Sequence, residues 1–287
     1  MPVNSPNTAS LPPMHERVMI QPAPRGFERT VVCAIWRTLD AVHGPAFLES
    51  TIPANVYACL NILPFGDVRL NHPQGISLPP VFLMGPLTAP LTTHAAAPLR
   101  SLSLVLQPWV LPAWFHVQAT SLVDTFDGGT QVKRLNEPLL VEALRNAAET
   151  PERLVFGLQM LAAASSGIDE EAMTLADMLT HNRSVSAVAE MLGIGIRQLE
   201  RRCRRAFGLG PKQWLQVKRF ESSLRHLAQD DASLVEVSAE AGYADQSHMT
   251  RIYRRTAGHT PAQTKDAIDS DVPGYWAFMP SKASLPE

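Results

Sequence analysis

Leu199 to Pro211 reads LERRCRRAFGLGP, and Met249 to Pro261, fifty residues on, reads MTRIYRRTAGHTP. In register the two stretches pair Arg201 with Arg251, Arg204 and Arg205 with Arg254 and Arg255, Gly208 with Gly258, and Pro211 with Pro261. Each follows a short amphipathic segment and a glycine. A helix, a tight turn and a second helix with arginines on its outward face is the arrangement that carries an α-helix into the DNA major groove. Two copies at a fixed separation predict one protein that reads two adjacent groove segments.

The residues before each copy complete the pattern. Ser184 is placed to cap a helix that buries Val185, Val188, Ala189 and Leu192 at i, i+3, i+4 and i+7, and Gly193 ends it. In the next helix the spacing turns Ile196, Leu199 and Cys203 inward and Arg197, Glu200, Arg201 and Arg204 outward on one face. For one helix alone, a solvated charged face is the more frequent origin of such arginines. The second copy shifts the balance. Ser233 and Glu236 form an S-x-x-E capping box before Leu234, Val237 and Ala241, and Gly242 supplies the turn. Asp245 then caps a helix whose inner Met249 and Tyr253 leave Gln246, Ser247, Thr250, Arg251 and Arg254 facing out. Gln and Arg form bidentate hydrogen bonds to adenine and guanine edges. Arg205 and Arg255 lie further along, where they meet phosphates or nothing. His248 has no second ligand at metal spacing and is read as packing or solvent-facing.

Between the copies, Pro211 sits in a first-turn position, and Trp214, Val217, Phe220, Leu224 and Leu227 mark the buried side of a third helix. About 18 residues give roughly 27 Å. Successive major-groove entries on one face of B-DNA lie about 34 Å apart. A helix of that length, with a turn at each end, is a spacer for two recognition helices.

Composition agrees with this reading. The chain of 287 residues has 45% hydrophobic and 18% charged residues, an ordinary globular balance, and its net charge of −2 argues against a protein that coats nucleic acid. Between 184 and 265, however, 13 Lys/Arg face 8 Asp/Glu, so the basic character is concentrated where the repeat lies. Cys33, Cys59 and Cys203 have no C-x-x-C spacing and read as reduced thiols of a cytoplasmic protein rather than a disulfide or zinc set. The proline-rich first 24 residues lack the regions of a signal peptide and are expected to be a disordered tail. The most apolar stretch is broken by Pro108 and Pro112, so no membrane partner is expected.

From 25 to 125 the texture is β-like, with runs at Val31 to Trp36, Val56 to Leu63, Val81 to Met84 and Leu102 to Gln107; such strands imply a sandwich or barrel. Trp36, Phe65, Phe82, Trp109 and Trp114 are candidates for an apolar pocket, although aromatics in a β domain are more often core. From 126 to 183 a helical connector is predicted, with Leu140, Leu144 and Ala147, then Leu154, Leu158 and Leu161, at helical spacing. No heptad long enough for a coiled coil is visible there. The expected architecture is multidomain α+β: a β-rich half, the connector, and an all-α double helix-turn-helix domain over 184 to 265. A tail over 266 to 287 follows, with Tyr275, Trp276 and Phe278.

These residues resemble the DNA-binding domain of the AraC/XylS family of bacterial transcription regulators. The resemblance covers about 80 residues, Ser184 to Thr264, and AEAGYADQSHMTRIYRRTAGHTP and RQLERRCRRAFGLGPKQW carry it. It places Arg197, Glu200 and Arg201 where the first helix meets bases, and Gln246, Ser247, Thr250 and Arg251 where the second does. Gly195 stands where a capping Ser is common, Met249 where Phe is common, and Cys203 in place of a core aromatic. The β-rich half resembles, more weakly, the companion domain of such regulators, carried by Gly85-Pro86-Leu87-Thr88-Ala89-Pro90 and Gln107-Pro108. The resemblance implies double-stranded DNA and RNA polymerase as partners, a homodimer, and a small-molecule effector of unknown identity. No other cofactor and no metal is expected.

Two other classes compete. An architectural, weakly specific DNA binder fits the arginine density but not the modest charge excess. An enzyme fused to a DNA-binding module, such as a repair alkyl transferase, needs an activated cysteine. Cys33 and Cys59 sit in apolar runs that favour inert thiols, and no nucleophile elbow, phosphate-binding glycine loop or H-E-x-x-H pattern is present.

Overall fold

The computed structural model describes residues 14–41, 47–129, 132–163, 167–182, 184–229, 233–269 and 274. Its N-terminal half holds seven strands: β1 (Met14–Pro22), β2 (Val31–Ala41), β3 (Phe47–Ile52), β4 (Ala58–Leu70), β5 (Val81–Met84), β6 (Leu91–Leu106) and β7 (Phe126–Asp127). They form one antiparallel sheet in the order β1-β2-β6-β4-β5-β7, with β3 also paired to β6. The long β6 is the organiser. Its first part pairs with β3 and its second with β2, while β4 follows it on the other side. Gly66 lets β4 bend across β6: its φ is +110°, and a Cβ there would stand 2.9 Å from the Pro98 carbonyl oxygen.

Residues 14–22 correct the expectation of a disordered tail over residues 1–24. They form β1, whose residues alternate between half-buried and exposed and pair with β2 from Met14↔Ala41 to Pro22↔Cys33. The signal in VMIQP is short and was masked by the prolines around it. The earlier part of that tail, Arg183 of the expected boundary, and Tyr275, Trp276 and Phe278 lie outside the described residues.

Helices follow: α1 (Pro138–Glu149), α2 (Leu154–Ala163), α3 (Glu170–Asn182), α4 (Val185–Met191), α5 (Ile196–Phe207), α6 (Pro211–Leu227), α7 (Leu234–Glu240), α8 (Gln246–Thr256) and α9 (Pro261–Asp269). The connector periodicity is realised, since Leu140, Leu144, Ala147, Leu154, Leu158 and Leu161 are all buried. One continuous core runs from the sheet face of Trp36, Leu60 and Leu104, through α1 to α3, into Leu199, Cys203, Phe207 and Trp214 of the first helix-turn-helix unit. The second unit has a separate core of Phe220, Leu224, Val237, Met249 and Tyr253. The spacer helix α6 therefore belongs to both cores. Among the described residues no helix is long and apolar enough to cross a membrane.

Four of the five aromatics proposed for a pocket are buried core. Trp36 donates to the Ala147 carbonyl at 3.0 Å, Phe82 meets Phe126 edge-on, Trp109 meets Phe207, and Trp114 meets Phe115. Phe65 is exposed. The apolar cavity that does exist, about 170 Å³, lies elsewhere, between the other sheet face and α6. Cys33, Cys59, Asn61, Ser103, Phe220 and Leu224 are among its walls.

Candidate nucleic-acid interface

Local sequence sets the start of each helix that precedes a recognition helix. Ser184 accepts from the Ala187 amide at 3.4 Å at the head of α4. At the head of α7, Ser233 and Glu236 form the reciprocal capping box, and the Ser233 hydrogen bonds hold the Glu236 carboxyl below its ordinary range. The turns then pass through Gly193 and Gly242, both in the left-handed region. At α8, Asp245 accepts from the His248 amide at 2.6 Å. At α5 the cap is Gly195, which offers no side chain, so the first recognition helix starts without that bond.

Leu199, Cys203 and Phe207 anchor α5, and Met249, Tyr253 and Thr256 anchor α8. Opposite them, Arg197, Arg201 and Arg204 stand exposed on α5, and Gln246, Ser247, Arg251 and Arg254 on α8. Glu200 is half-buried and turned towards Arg204, with 4.0 Å between carboxylate and guanidinium. Thr250 is half-buried, and its hydroxyl donates to the Gln246 carbonyl at 2.9 Å. All nine candidates thus lie on two helices, though Glu200 and Thr250 are already partly engaged. Arg205 borders a crevice with Trp109, Gln118 and Asp169, a neighbourhood its place on the helix wheel did not disclose. His248 packs edge-on against Tyr243, as expected of a packing histidine.

Ile196 corrects the predicted inward stripe. It shares the azimuth of Leu199 and Cys203 but is 50% exposed. It is the first residue of α5, beyond the layer that covers the other two.

The ends of the recognition helices away from their caps dock on the sheet half. Beyond α5, Gly208 lies so close to Ala119 that a Cβ would come within 2.8 Å of its carbonyl oxygen. At the end of α8, the Thr256 carbonyl accepts from the Ala54 amide at 2.7 Å. Between them, Glu221 of α6 accepts from Tyr57 Oη at 3.1 Å and from Lys218 Nζ at 2.9 Å. Burial alone would depress the Lys218 ammonium, but the adjacent Glu221 carboxylate and Tyr57 hydroxyl together outweigh it and raise its pKa. Sequence reasoning missed this triad, because Tyr57 and Glu221 are 164 residues apart and belong to no motif.

Burial pushes the Cys33 and Cys59 thiols up to about 12. Neither has the depressed pKa of an activated nucleophile.

Residues 188–267 match the family described as a helix-turn-helix domain. The transcriptional activator NphR of Rhodococcus sp. is 25% identical over 243 residues, covering 77% of this chain and 72% of that protein. The HTH-type transcriptional regulator ExsA of Pseudomonas aeruginosa is 28% identical over 85 residues, 30% of this chain and 31% of that protein. Among solved structures, ToxT from Vibrio cholerae aligns with a TM-score of 0.46 at 10% identity, over 88% of this chain and 98% of that one.

The fold and the paired arginine-faced helices define a sequence-specific DNA-binding transcription regulator, not an enzyme. Residues 188–267 form a helix-turn-helix domain of AraC/XylS type, and the chain is similar to bacterial transcription regulators.

Proposed function

We propose that α5 and α8 enter successive major grooves of one duplex face. Arg197, Glu200, Arg201 and Arg204 would serve the first groove, and Gln246, Ser247, Thr250, Arg251 and Arg254 the second. The observation that carries this reading is the polarity of both helices: their outward faces are open, while the backbone at or just beyond their far ends is docked on the sheet half. At 17 residues, α6 is about 26 Å long, a span suited to two entries about 34 Å apart once the turns are added. The domain limits proposed are 14–127 for the β-rich half, widened from 25–125 to take in β1 and β7, 128–183 for the connector and 184–265 for the DNA-binding part.

Activation of transcription is proposed from the likeness to the transcriptional activator NphR; RNA polymerase as partner is proposed from the AraC/XylS resemblance, with a location in the bacterial cytoplasm and a homodimer as the assembly. The cavity between the sheet and α6 suits a small, neutral, largely apolar effector. Of its polar groups, Ser103 donates to Asn61 at 2.7 Å and Glu221 at its edge is matched by Lys218, while Arg225 stands exposed at the rim. Indole, as a neutral probe, should raise the melting temperature of the native chain and leave Leu224→Trp unchanged.

The decisive experiment is selection of randomised duplexes by the full-length protein at near-physiological salt. Two enriched blocks about one helical turn apart are expected. A pool without a motif, both for the whole chain and for residues 184–287, would leave only backbone binding.

A further inference from the structure

The two units differ at the first position of their recognition helices. Ile196 follows the Gly195 cap as the first residue of α5, and Gln246 follows the Asp245 cap as the first residue of α8. The register that aligns Leu199 with Met249 and Arg201 with Arg251 aligns these two residues as well. Gln246 is exposed, and Ile196, although apolar, is half exposed where Leu199 and Cys203 on the same azimuth are fully buried. The first turn of a recognition helix is the part that reaches base edges. On the major-groove edge of the base pairs the apolar feature is the thymine C5-methyl group.

We infer that Ile196 is a base-reading residue of the first unit, placed against the methyl group of a thymine, where Gln246 in the second unit addresses adenine. The inference rests on the two-groove reading above and adds that the two blocks of the target differ at corresponding positions. It gives a role to the exposed apolar residue that opens α5.

The test uses the full chain and a duplex obtained by selection. Each thymine is replaced in turn by deoxyuridine, which lacks only the methyl group. At one thymine of the first block the native protein should lose about fourfold in affinity, the effect of one buried methyl group. Ile196→Ala should bind the thymine and deoxyuridine duplexes equally. Ile196→Gln, which imports the chemistry of the second unit, should move the preference at that position towards adenine; it also serves if the alanine variant folds poorly. If no thymine shows a methyl dependence that Ile196→Ala abolishes, and Ile196→Gln shifts no preference, the inference is overturned. Continued loss of discrimination in Arg201→Ala would then show that the two-groove reading survives. Absence of any selected motif overturns both.

Discussion

Tyr57, at the approach to β4, and Glu221, on the spacer helix α6, share a hydrogen bond of 3.1 Å across the junction between the sheet half and the DNA-binding half. Lys218 completes the set by donating to both, and its ammonium also lies 5.3 Å from the Tyr57 ring centre. The helix that separates the two recognition helices is thereby tied to the sheet. Tyr57 finds these two partners only when the halves are docked.

Removing one partner should therefore cost more than removing all the charge. Glu221→Ala leaves Lys218 unpaired and is expected to destabilise the chain by about 3 kcal/mol. Lys218→Met combined with Glu221→Leu should be close to neutral. Urea unfolding of Lys218→Met, Glu221→Leu and the double variant measures the coupling, and independent, additive losses would contradict it.

Base reading and phosphate contact separate in binding titrations. Arg201→Ala and Arg251→Ala should each cost about 1 to 3 kcal/mol on the selected duplex and relax preference at one position. Arg255→Ala, at the far end of α8, should weaken matched and scrambled duplexes alike and reduce the salt slope by about 1. Equal losses on both duplexes for all three variants would argue against base readout.

Two left-handed glycines predict unequal costs. Gly193 (φ +63°) has nothing within 4 Å of a would-be Cβ, whereas Gly208 (φ +76°) faces the Ala119 carbonyl oxygen at 2.8 Å. Gly193→Ala should cost about 1 kcal/mol of backbone strain and Gly208→Ala about 2 kcal/mol or more, because the docked sheet half must also shift. Thermal denaturation that ranks them in the reverse order would refute the close docking at Ala119.

The capping box of α7 carries a pH signature. Ser233→Ala should cost about 1 kcal/mol near neutrality. The Glu236 carboxyl titrates below its ordinary 4.5 in the folded chain, so its contribution is present above the unfolded value and is lost as pH falls through the lowered one. The gap between native protein and Glu236→Gln should accordingly close below about pH 4.5. A gap that persists unchanged in acid would place the effect elsewhere.

Most of the interface was legible because it is local. Arg201 and Arg251 face outward by helical spacing, and Asp245 and the Ser233–Glu236 pair cap within three residues of their partners. Ile196 was misread for the same reason. Its spacing to Leu199 and Cys203 is that of a buried residue, but burial also needs neighbours, and among the described residues Ile196 stays 50% exposed. In the sheet, β5 matched its predicted run from Val81 to Met84, whereas β3 and β1 went unseen because their alternation is short and interrupted by polar residues.

By itself the sequence determined the two helix-turn-helix units, their arginine faces and the length of the helix between them, since periodicity, caps and turns act over a few residues. The tertiary structure alone decided that the first unit shares its core with the sheet half and the second does not. It alone placed Tyr57 against Lys218 and Glu221, and Ala54 against Thr256. Such contacts join residues far apart in the chain, and shape and burial select them only once the chain has folded.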